Sequence, residues 1–212
     1  MKVLFMAVNK SDLIAFNEYG RANGGSNTQW IDWTADNQNG ADKQVTAVWY
    51  SGSAEPIMQN LGVATDQVYV RGHNDATLGT GIQVARGGSV LSAAEVGKRL
   101  ITSSLRTRFQ GKIKCYNCHS GEKFAGYKSS FAQALADYLY NHGYKNCSYY
   151  GYEGALDSFY KAGSQGTHKY RRDKETTGGA VRQVEGGRAS ENRIQITPRF
   201  LLGMQIKSVL GK

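Results

Sequence analysis

Residues 113–121 read Ile-Lys-Cys-Tyr-Asn-Cys-His-Ser-Gly, and this stretch decides both the predicted fold and the candidate chemistry. It begins as a buried strand, with Ile113 and Cys115 on one face, and it breaks into small and polar residues at Asn117. In an α/β sheet, functional groups are exposed at the carboxyl ends of strands. The stretch also holds two of the three cysteines and one of the four histidines, so we expect the functional site here.

Strand and helix patterns alternate on both sides of this stretch. Residues 67–73 predict a strand, and Ser92 begins a helix with a capping-box pattern. Residues 112–117 predict the next strand, Ser130 begins a second capped helix, and residues 146–151 predict a further strand. This alternation is typical of parallel strands joined by crossover helices. The predicted fold class is therefore α/β, with a mainly parallel central sheet flanked by helices.

The flanking parts of the chain differ in character. Residues 2–8 and 45–50 predict two more strands, and residues 11–19 a short helix. Residues 20–44 are rich in Gly, Asn, Asp and Gln and predict an irregular excursion. A last amphipathic segment is expected to start at Thr197-Pro198.

A basic segment lies near the carboxyl end of the chain. Residues 168–196 carry glycines at 178–179 and 186–187, which predict turns, and a high proportion of Lys and Arg. We expect a basic β-hairpin or flap spanning residues 161–197. Because no linker or repeat interrupts the chain, residues 1–212 are predicted to form a single domain.

Charge and hydropathy limit the class of partner and the location. The net charge of +9 favours a polyanionic partner, such as nucleic acid, an inositol phosphate or an anionic membrane face, although a solvated basic surface explains it equally well. No helix-turn-helix, RRM or OB-fold pattern favours nucleic acid. No apolar run is long enough to span a membrane, and residues 1–10 lack a cleavable signal pattern. We expect a cytoplasmic protein, or one secreted without such a signal.

The first interpretation of residues 113–121 is a cysteine–histidine dyad. A thiolate nucleophile needs a base or a cation that holds it ionised. His73 ends one predicted strand, and Cys118 ends the strand reached through one crossover, so parallel pairing would place both at the same edge of the sheet. Cys118 follows His73 by 45 residues, and caspases have a spacing of about 50. The alternative is an inert buried thiol and a loop histidine.

Five segments between residues 67 and 154 carry a resemblance to a known family. They are the strand into Gly72-His73, the helix start Leu91-Ser92-Ala93, the strand into Asn117-Cys118-His119-Ser120, the helix Phe131-Ala132-Gln133-Ala134-Leu135 and the strand into Gly151-Tyr152-Glu153-Gly154. In these segments the chain resembles the caspase-like (clan CD) cysteine peptidases. The resemblance is closest to the self-processing cysteine peptidase domain of large bacterial toxins, of the MARTX and clostridial glucosylating types.

This resemblance implies a caspase-like fold and a cysteine peptidase that acts on its own chain or on a protein substrate, as in a bacterial effector. It implies that Cys118 attacks the peptide carbonyl, that His73 protonates the leaving amine, and that the backbone N–H groups of Cys118 and Asn74 stabilise the oxyanion. The family has a glycine where this chain has Asn74, and a small residue where it has Asn117.

The basic segment resembles the β-flap of the same toxins, which helps to bind the activator inositol hexakisphosphate. The resemblance implies an anionic activator of this kind, with candidate polyanion-binding residues Lys169, Arg171, Arg172, Arg182 and Arg188. The alternative is a catalytically silent homologue or effector that binds a polyanion or a protein partner.

Two other chemistries fit the same cysteines. Cys115-Tyr116-Asn117-Cys118-His119 matches the C-x-x-C-H pattern of covalent haem attachment, although a strand precedes it. Cys115, Cys118, His142 and Cys147 could supply four tetrahedral zinc ligands, although the helix predicted around Phe131–Leu139 would carry His142 away. The dyad is preferred to both, so no metal ligand is assigned.

Overall fold

The computed structural model describes residues 1–9, 45–83, 89–156, 161–177 and 179–200. The predicted helix over residues 11–19, the excursion over residues 20–44 and the final segment beyond residue 200 lie outside the described residues.

A six-stranded sheet forms the centre of the described structure. Its strands are β1 (Lys2–Met6), β2 (Val45–Trp49), β3 (Gln67–Arg71), β6 (Lys112–Tyr116), β7 (Ser148–Tyr152) and β13 (Arg193–Ile196). The order across the sheet is β13-β7-β6-β3-β1-β2; only β13, at one edge, pairs in an antiparallel manner. The predicted α/β class with a mainly parallel sheet is confirmed, and the arrangement is consistent with a caspase-like fold.

Three helices occur among the described residues: α1 (Pro56–Gln59), α2 (Ala93–Thr102) and α3 (Phe131–Asn141). The hydroxyl of Ser92 accepts a hydrogen bond from the N–H of Glu95 (3.1 Å), which confirms the predicted cap of α2. The carboxylate of Glu95 binds Arg99 rather than completing the capping box. Ser130 caps α3 in the same way. No helix in the described part of the chain is long and apolar enough to cross a membrane.

The two faces of the sheet differ because side chains alternate along each strand. On one face, apolar side chains of β3, β6 and β7 pack beneath α2 and α3, and burial of each large apolar side chain contributes about 1.5–3 kcal/mol. The residues of this core include Val68, Val70, Ile113, Cys115, Tyr149, Val96, Leu100, Phe131, Leu135 and Leu139. Along β3, β6 and β7, the opposite face carries polar, basic and aromatic residues, among them Tyr69, Arg71, Lys114, Tyr116, Tyr150 and Tyr152.

Short strands occur in addition to the predicted ones, and those over residues 161–168 lie within the predicted flap. β4 (Gly81–Gln83) and β5 (Val90–Ser92) form a short antiparallel pair between β3 and α2. Further along, β8 (Ala155–Leu156) joins the flap, and β9 (Lys161–Gly163) pairs with β10 (Gly166–His168).

The predicted basic hairpin is confirmed as β11 (Tyr170–Thr177) paired with β12 (Ala180–Arg188). The end of the predicted flap is wrong, because residues 193–196 form β13 of the central sheet. The glycines at 186–187, however, do not form a turn and lie inside β12. The register shifts there, because Tyr170 pairs with Arg188 whereas Arg172 pairs with Glu185. The extra residue forms a β-bulge, a position at which glycine is common.

Two glycines allow the loop after β6 to pack against β7. A Cβ added at Gly151 would lie 2.6 Å from the Cα of Gly121 and 2.8 Å from the Cβ of Ala132. We predict that Gly151→Ala lowers the free energy of unfolding by about 1–3 kcal/mol, because neither neighbour can move away without a backbone shift.

Urea denaturation measures this effect as a lower midpoint at an unchanged slope. Gly62→Ala is the matched control, because its added Cβ has no neighbour within 4 Å and its backbone is not left-handed. The control should unfold at the wild-type midpoint or slightly above it. Equal midpoints for the two variants would contradict the close packing.

Candidate functional site

His73 and Cys118 lie at the same edge of the sheet, as predicted. β3 and β6 are parallel neighbours, and Arg71 at the end of one pairs with Tyr116 at the end of the other. Each candidate lies two residues beyond this last pair. Because neighbouring strands are about 4.8 Å apart, the pairing brings the two segments to equivalent positions at the carboxyl edge.

The loop that carries Cys118 is held by hydrogen bonds to β6 and β7. The hydroxyl of Ser120 donates to the carbonyl of Cys115 (2.6 Å) and accepts from the N–H of Tyr152 (2.9 Å). His119 has a left-handed backbone (φ 56°), and its N–H donates to the carbonyl of Gly154 (2.8 Å). The position of the Cys118 backbone is therefore determined by the two strands beside it.

The sulfur of Cys118 lies against the base of the flap. It accepts a hydrogen bond from the N–H of Leu156 (3.2 Å), and it packs against a small cluster that includes Tyr116 and Tyr152. The carbonyl of Leu156 accepts from the guanidinium of Arg172 on β11 (3.1 Å). Two hydrogen bonds through one residue thus connect the flap to the candidate nucleophile.

Arg71 is a buried cation close to Cys118, and the sequence analysis missed it. Its side chain is almost fully buried, and burial is the main cause that lowers the pKa of Arg71, while the nearby Cys118 and Tyr116 act in the opposite direction. A guanidinium nevertheless remains protonated in proteins. The sequence did contain a signal, because Arg71 is the only charged residue in the strand Gln67–Arg71, directly before Gly72-His73.

His73 has a carboxylate partner that the sequence analysis also missed. Its ring Nε2 lies 3.2 Å from Oδ2 of Asp75. The other carboxylate oxygen of Asp75 accepts from the backbone N–H and the hydroxyl of Thr77. The hydrogen bond from the Thr77 hydroxyl is the main cause that lowers the pKa of Asp75, and His73 lowers it further. Asp75 is therefore an anion that can orient the imidazole and fix its tautomer.

The backbone of His73 is anchored as well. It forms a two-way antiparallel bridge with Gln83, which accepts from the N–H of His73 and donates to its carbonyl. The strand β4 that the sequence did not predict therefore holds His73 in place.

Asn74 and Asn117 are both buried, and they lie at the carboxyl edge of the sheet, after β3 and β6. Among the described residues, neither amide atom of Asn117 has a hydrogen-bond partner, and the same is true of Oδ1 of Asn74. The backbone N–H groups of Asn74 and Cys118 likewise have no acceptor within the described ranges. Of the described non-glycine residues, only Ser104 and His119 have positive φ. Asn74 thus occupies its position without a glycine-like backbone.

The five candidate polyanion-binding residues separate into two groups. Lys169 and Arg172 point to the Cys118 region: the ammonium of Lys169 lies 5.1 Å from the ring centroid of Tyr116, and Arg172 binds the carbonyl of Leu156.

The other three residues are engaged within the flap. Arg171 pairs with Asp173 (2.7 Å), and the exposed Arg182 pairs with Glu175 (2.7 Å). Arg188 donates to a backbone carbonyl of the same flap (2.7 Å). These hydrogen bonds order the hairpin, and the exposed ion pair contributes little to stability.

The geometry does not fit the haem and zinc alternatives. Cys115 lies in the helix-covered core, where burial strongly raises its pKa, whereas Cys118 packs into the cluster with Tyr116. The two thiols therefore do not face one ligand. Within the described ranges, no three His, Cys, Asp or Glu side chains are arranged to hold a metal ion. His142 stacks on Tyr138 at the end of α3 instead.

His119, the neighbour of Cys118, forms a second histidine–carboxylate pair. Its Nδ1 lies 3.0 Å from Glu122, and Glu122 also accepts from the N–H of Gly154. These contacts hold the left-handed loop after Cys118 and give His119 a structural role.

Comparisons with known proteins were made for the whole chain. No protein-family model, no curated protein and no solved structure matches it. The function is therefore inferred from the site itself.

Proposed function

We propose that the protein is a caspase-like cysteine peptidase, with Cys118 as the nucleophile and His73 as the general acid and base. The observation that carries this proposal is the parallel register of β3 and β6, which brings the segments of both residues to equivalent positions at one edge. Asp75 beside His73 and the Leu156 N–H on the sulfur support it further. Perturbed or buried charges next to a cysteine at a strand end are typical of catalytic sites.

The proposed reaction follows from these groups. The Cys118 thiolate attacks the carbonyl carbon of a peptide bond and forms a tetrahedral intermediate. His73 protonates the leaving amine as the C–N bond breaks, which leaves a thioester on Cys118. His73 then takes a proton from water, which attacks the thioester and releases the carboxylic acid and the free thiol.

The oxyanion of the tetrahedral intermediate needs hydrogen-bond donors that are not already used. The backbone N–H groups of Asn74 and Cys118 meet this condition within the described residues. Asn74 follows the end of β3, and Cys118 follows the end of β6. A single donor of this kind contributes about 2.7–4 kcal/mol to transition-state stabilisation in other enzymes. Asn74 supplies its N–H as well as a glycine would, because only the backbone is involved.

The substrate is proposed to be a protein, or this chain itself, as in a bacterial effector. An anionic activator such as inositol hexakisphosphate is supported by the net charge of +9 and by the hydrogen bonds that join Arg172, Leu156 and Cys118. An anion that draws Arg172 toward itself would change the position of Leu156 and thus of the sulfur.

A catalytically silent polyanion-binding protein is the second candidate. The sheet face opposite the helices favours it, because on this side the partly exposed Arg193 lies over the ring of Tyr150 and the partly exposed Lys169 over the ring of Tyr116. Cations interleaved with aromatic rings suit phosphate-rich ligands. Turnover of a peptide distinguishes the two candidates.

The two histidines provide the sharpest test of the dyad. We predict that His73→Ala slows labelling of Cys118 by a peptidyl acyloxymethyl ketone by about 100-fold or more, because the general acid–base group is lost. Labelling is measured by mass spectrometry of the modified peptide, with and without inositol hexakisphosphate.

His142→Ala is the control, since His142 is exposed at the end of α3, stacks on Tyr138 and takes no part in the proposed site. It should retain labelling within about threefold of the wild type. Labelling that survives in His73→Ala, or that falls equally in both variants, would rule out the dyad.

Inositol hexakisphosphate should bind and stabilise the folded protein. We predict a rise in Tm of several degrees at a saturating concentration, because a ligand at 100 times its Kd adds about 2.7 kcal/mol. Differential scanning fluorimetry measures the shift at physiological salt. If heparin at the same charge concentration reproduces the shift, the attraction is nonspecific and the proposed activator is wrong.

A further inference from the structure

Arg71 lies between the two strand ends that carry His73 and Cys118. Its Nη1 donates to the carbonyl of Gly72 (2.9 Å), directly before His73, and approaches the carbonyl of Tyr116 (3.4 Å), two residues before Cys118. The side chain is only 5% exposed. One guanidinium nitrogen therefore connects both segments of the candidate site.

The charge of Arg71 is as informative as its hydrogen bonds. Burial of a cation is unfavourable unless anionic or dipolar groups compensate for it. The two carbonyls place dipoles beside the guanidinium, and a thiolate at Cys118 would add a full negative charge. A positive charge beside a cysteine in turn favours its thiolate form.

Several other groups can influence the charge on Cys118, and they come from every element packed against it. They are Tyr116 on β6, Tyr152 on β7, Arg172 and Lys169 at the base of the flap, His73 after β3, and the His119–Glu122 pair in the loop.

We infer that Arg71 is the positioning residue of the site: it holds the ends of β3 and β6 together and keeps a fixed positive charge beside the Cys118 sulfur. This inference deepens the proposed function and rests on Cys118 being its nucleophile. Arg71 acts on the Cys118 sulfur and does not contact the carbonyl of the substrate.

The first test needs only the wild-type protein. The native protein is alkylated with iodoacetamide over a range of pH, and the rate at each cysteine is measured by peptide mass spectrometry. The urea-unfolded protein is the reference, because Arg71 no longer lies beside Cys118 there. Cys118 should be alkylated with a midpoint at lower pH in the native protein than in the unfolded one. A native midpoint at or above the unfolded one would overturn the inference.

Variants of Arg71 then distinguish the effect of its charge from an effect on folding. Arg71→Gln should slow Cys118 alkylation at neutral pH by about tenfold and move its midpoint to higher pH, which corresponds to one unit on the pH axis. Arg71→Lys keeps a cationic side chain but lacks the planar fork and loses its proton more readily when buried, so its rate should lie between those of the wild type and Arg71→Gln. Arg108→Gln is the control, because Arg108 is exposed in the loop that enters β6, at the edge of the sheet opposite to the site.

Cys115 reports whether a variant still folds, since it is alkylated only if the core opens. A wild-type Cys118 profile in Arg71→Gln, with Cys115 protected, would overturn the inference, as would a Lys variant shifted as far as the Gln variant. If Arg71→Gln exposes Cys115, the Lys variant and the comparison of native with unfolded wild-type protein decide.

The outcome of this experiment does not depend on whether the protein is a peptidase. Alkylation requires neither a peptide nor proton transfer from His73. A shift caused by Arg71 in a protein that never turns over a peptide would refute the peptidase and leave the role of Arg71 intact. Turnover of a peptide without an effect of Arg71→Gln on Cys118 alkylation would support the peptidase and refute the role of Arg71.

Discussion

The parallel pairing of β3 and β6 is the constraint on which the rest of the structure depends. It sets Arg71 opposite Tyr116 and so decides that His73 and Cys118 leave the sheet at equivalent positions. A register shift of one residue would turn every side chain of one strand to the other face. The apolar face beneath α2 and α3 makes such a shift costly, because it would move Val68 and Val70 out of the core. The same burial that stabilises the fold therefore positions the site.

The alternation of side chains also separates the two cysteines of this segment. Cys115 points into the helix-covered core, whereas Cys118 follows the strand end and joins the tyrosine cluster. Because of this separation, the two thiols do not face one common ligand. The flap then provides a second connection to the sulfur, through Leu156 and Arg172. A basic hairpin with several internal ion pairs is thus linked to the site by a few specific contacts rather than by its overall charge.

Local patterns were sufficient to predict much of this arrangement. The strands over residues 67–73 and 112–117 and the caps at Ser92 and Ser130 are encoded by neighbouring residues, and the structure confirms them. Residues that act through partners distant in sequence were missed. Arg71 bonds to a carbonyl 45 residues away, and the bridge between His73 and Gln83 depends on how the chain folds back after β3. The glycines of β12 were assigned to a turn because a bulge and a turn have the same local composition.

Asn74 lies where the peptidases that the chain resembles have a glycine. Its backbone needs no positive φ, so a glycine is not required for the fold at this point, and its N–H has no acceptor within the described residues. The most direct measurement is a crystal structure of the unliganded protein that gives the distance between the His73 ring and the Cys118 sulfur. The account predicts about 4–6 Å between the sulfur and the nearer ring nitrogen, since catalytic contacts are often loose before substrate binds. A distance beyond about 10 Å, with both loops ordered, would contradict it.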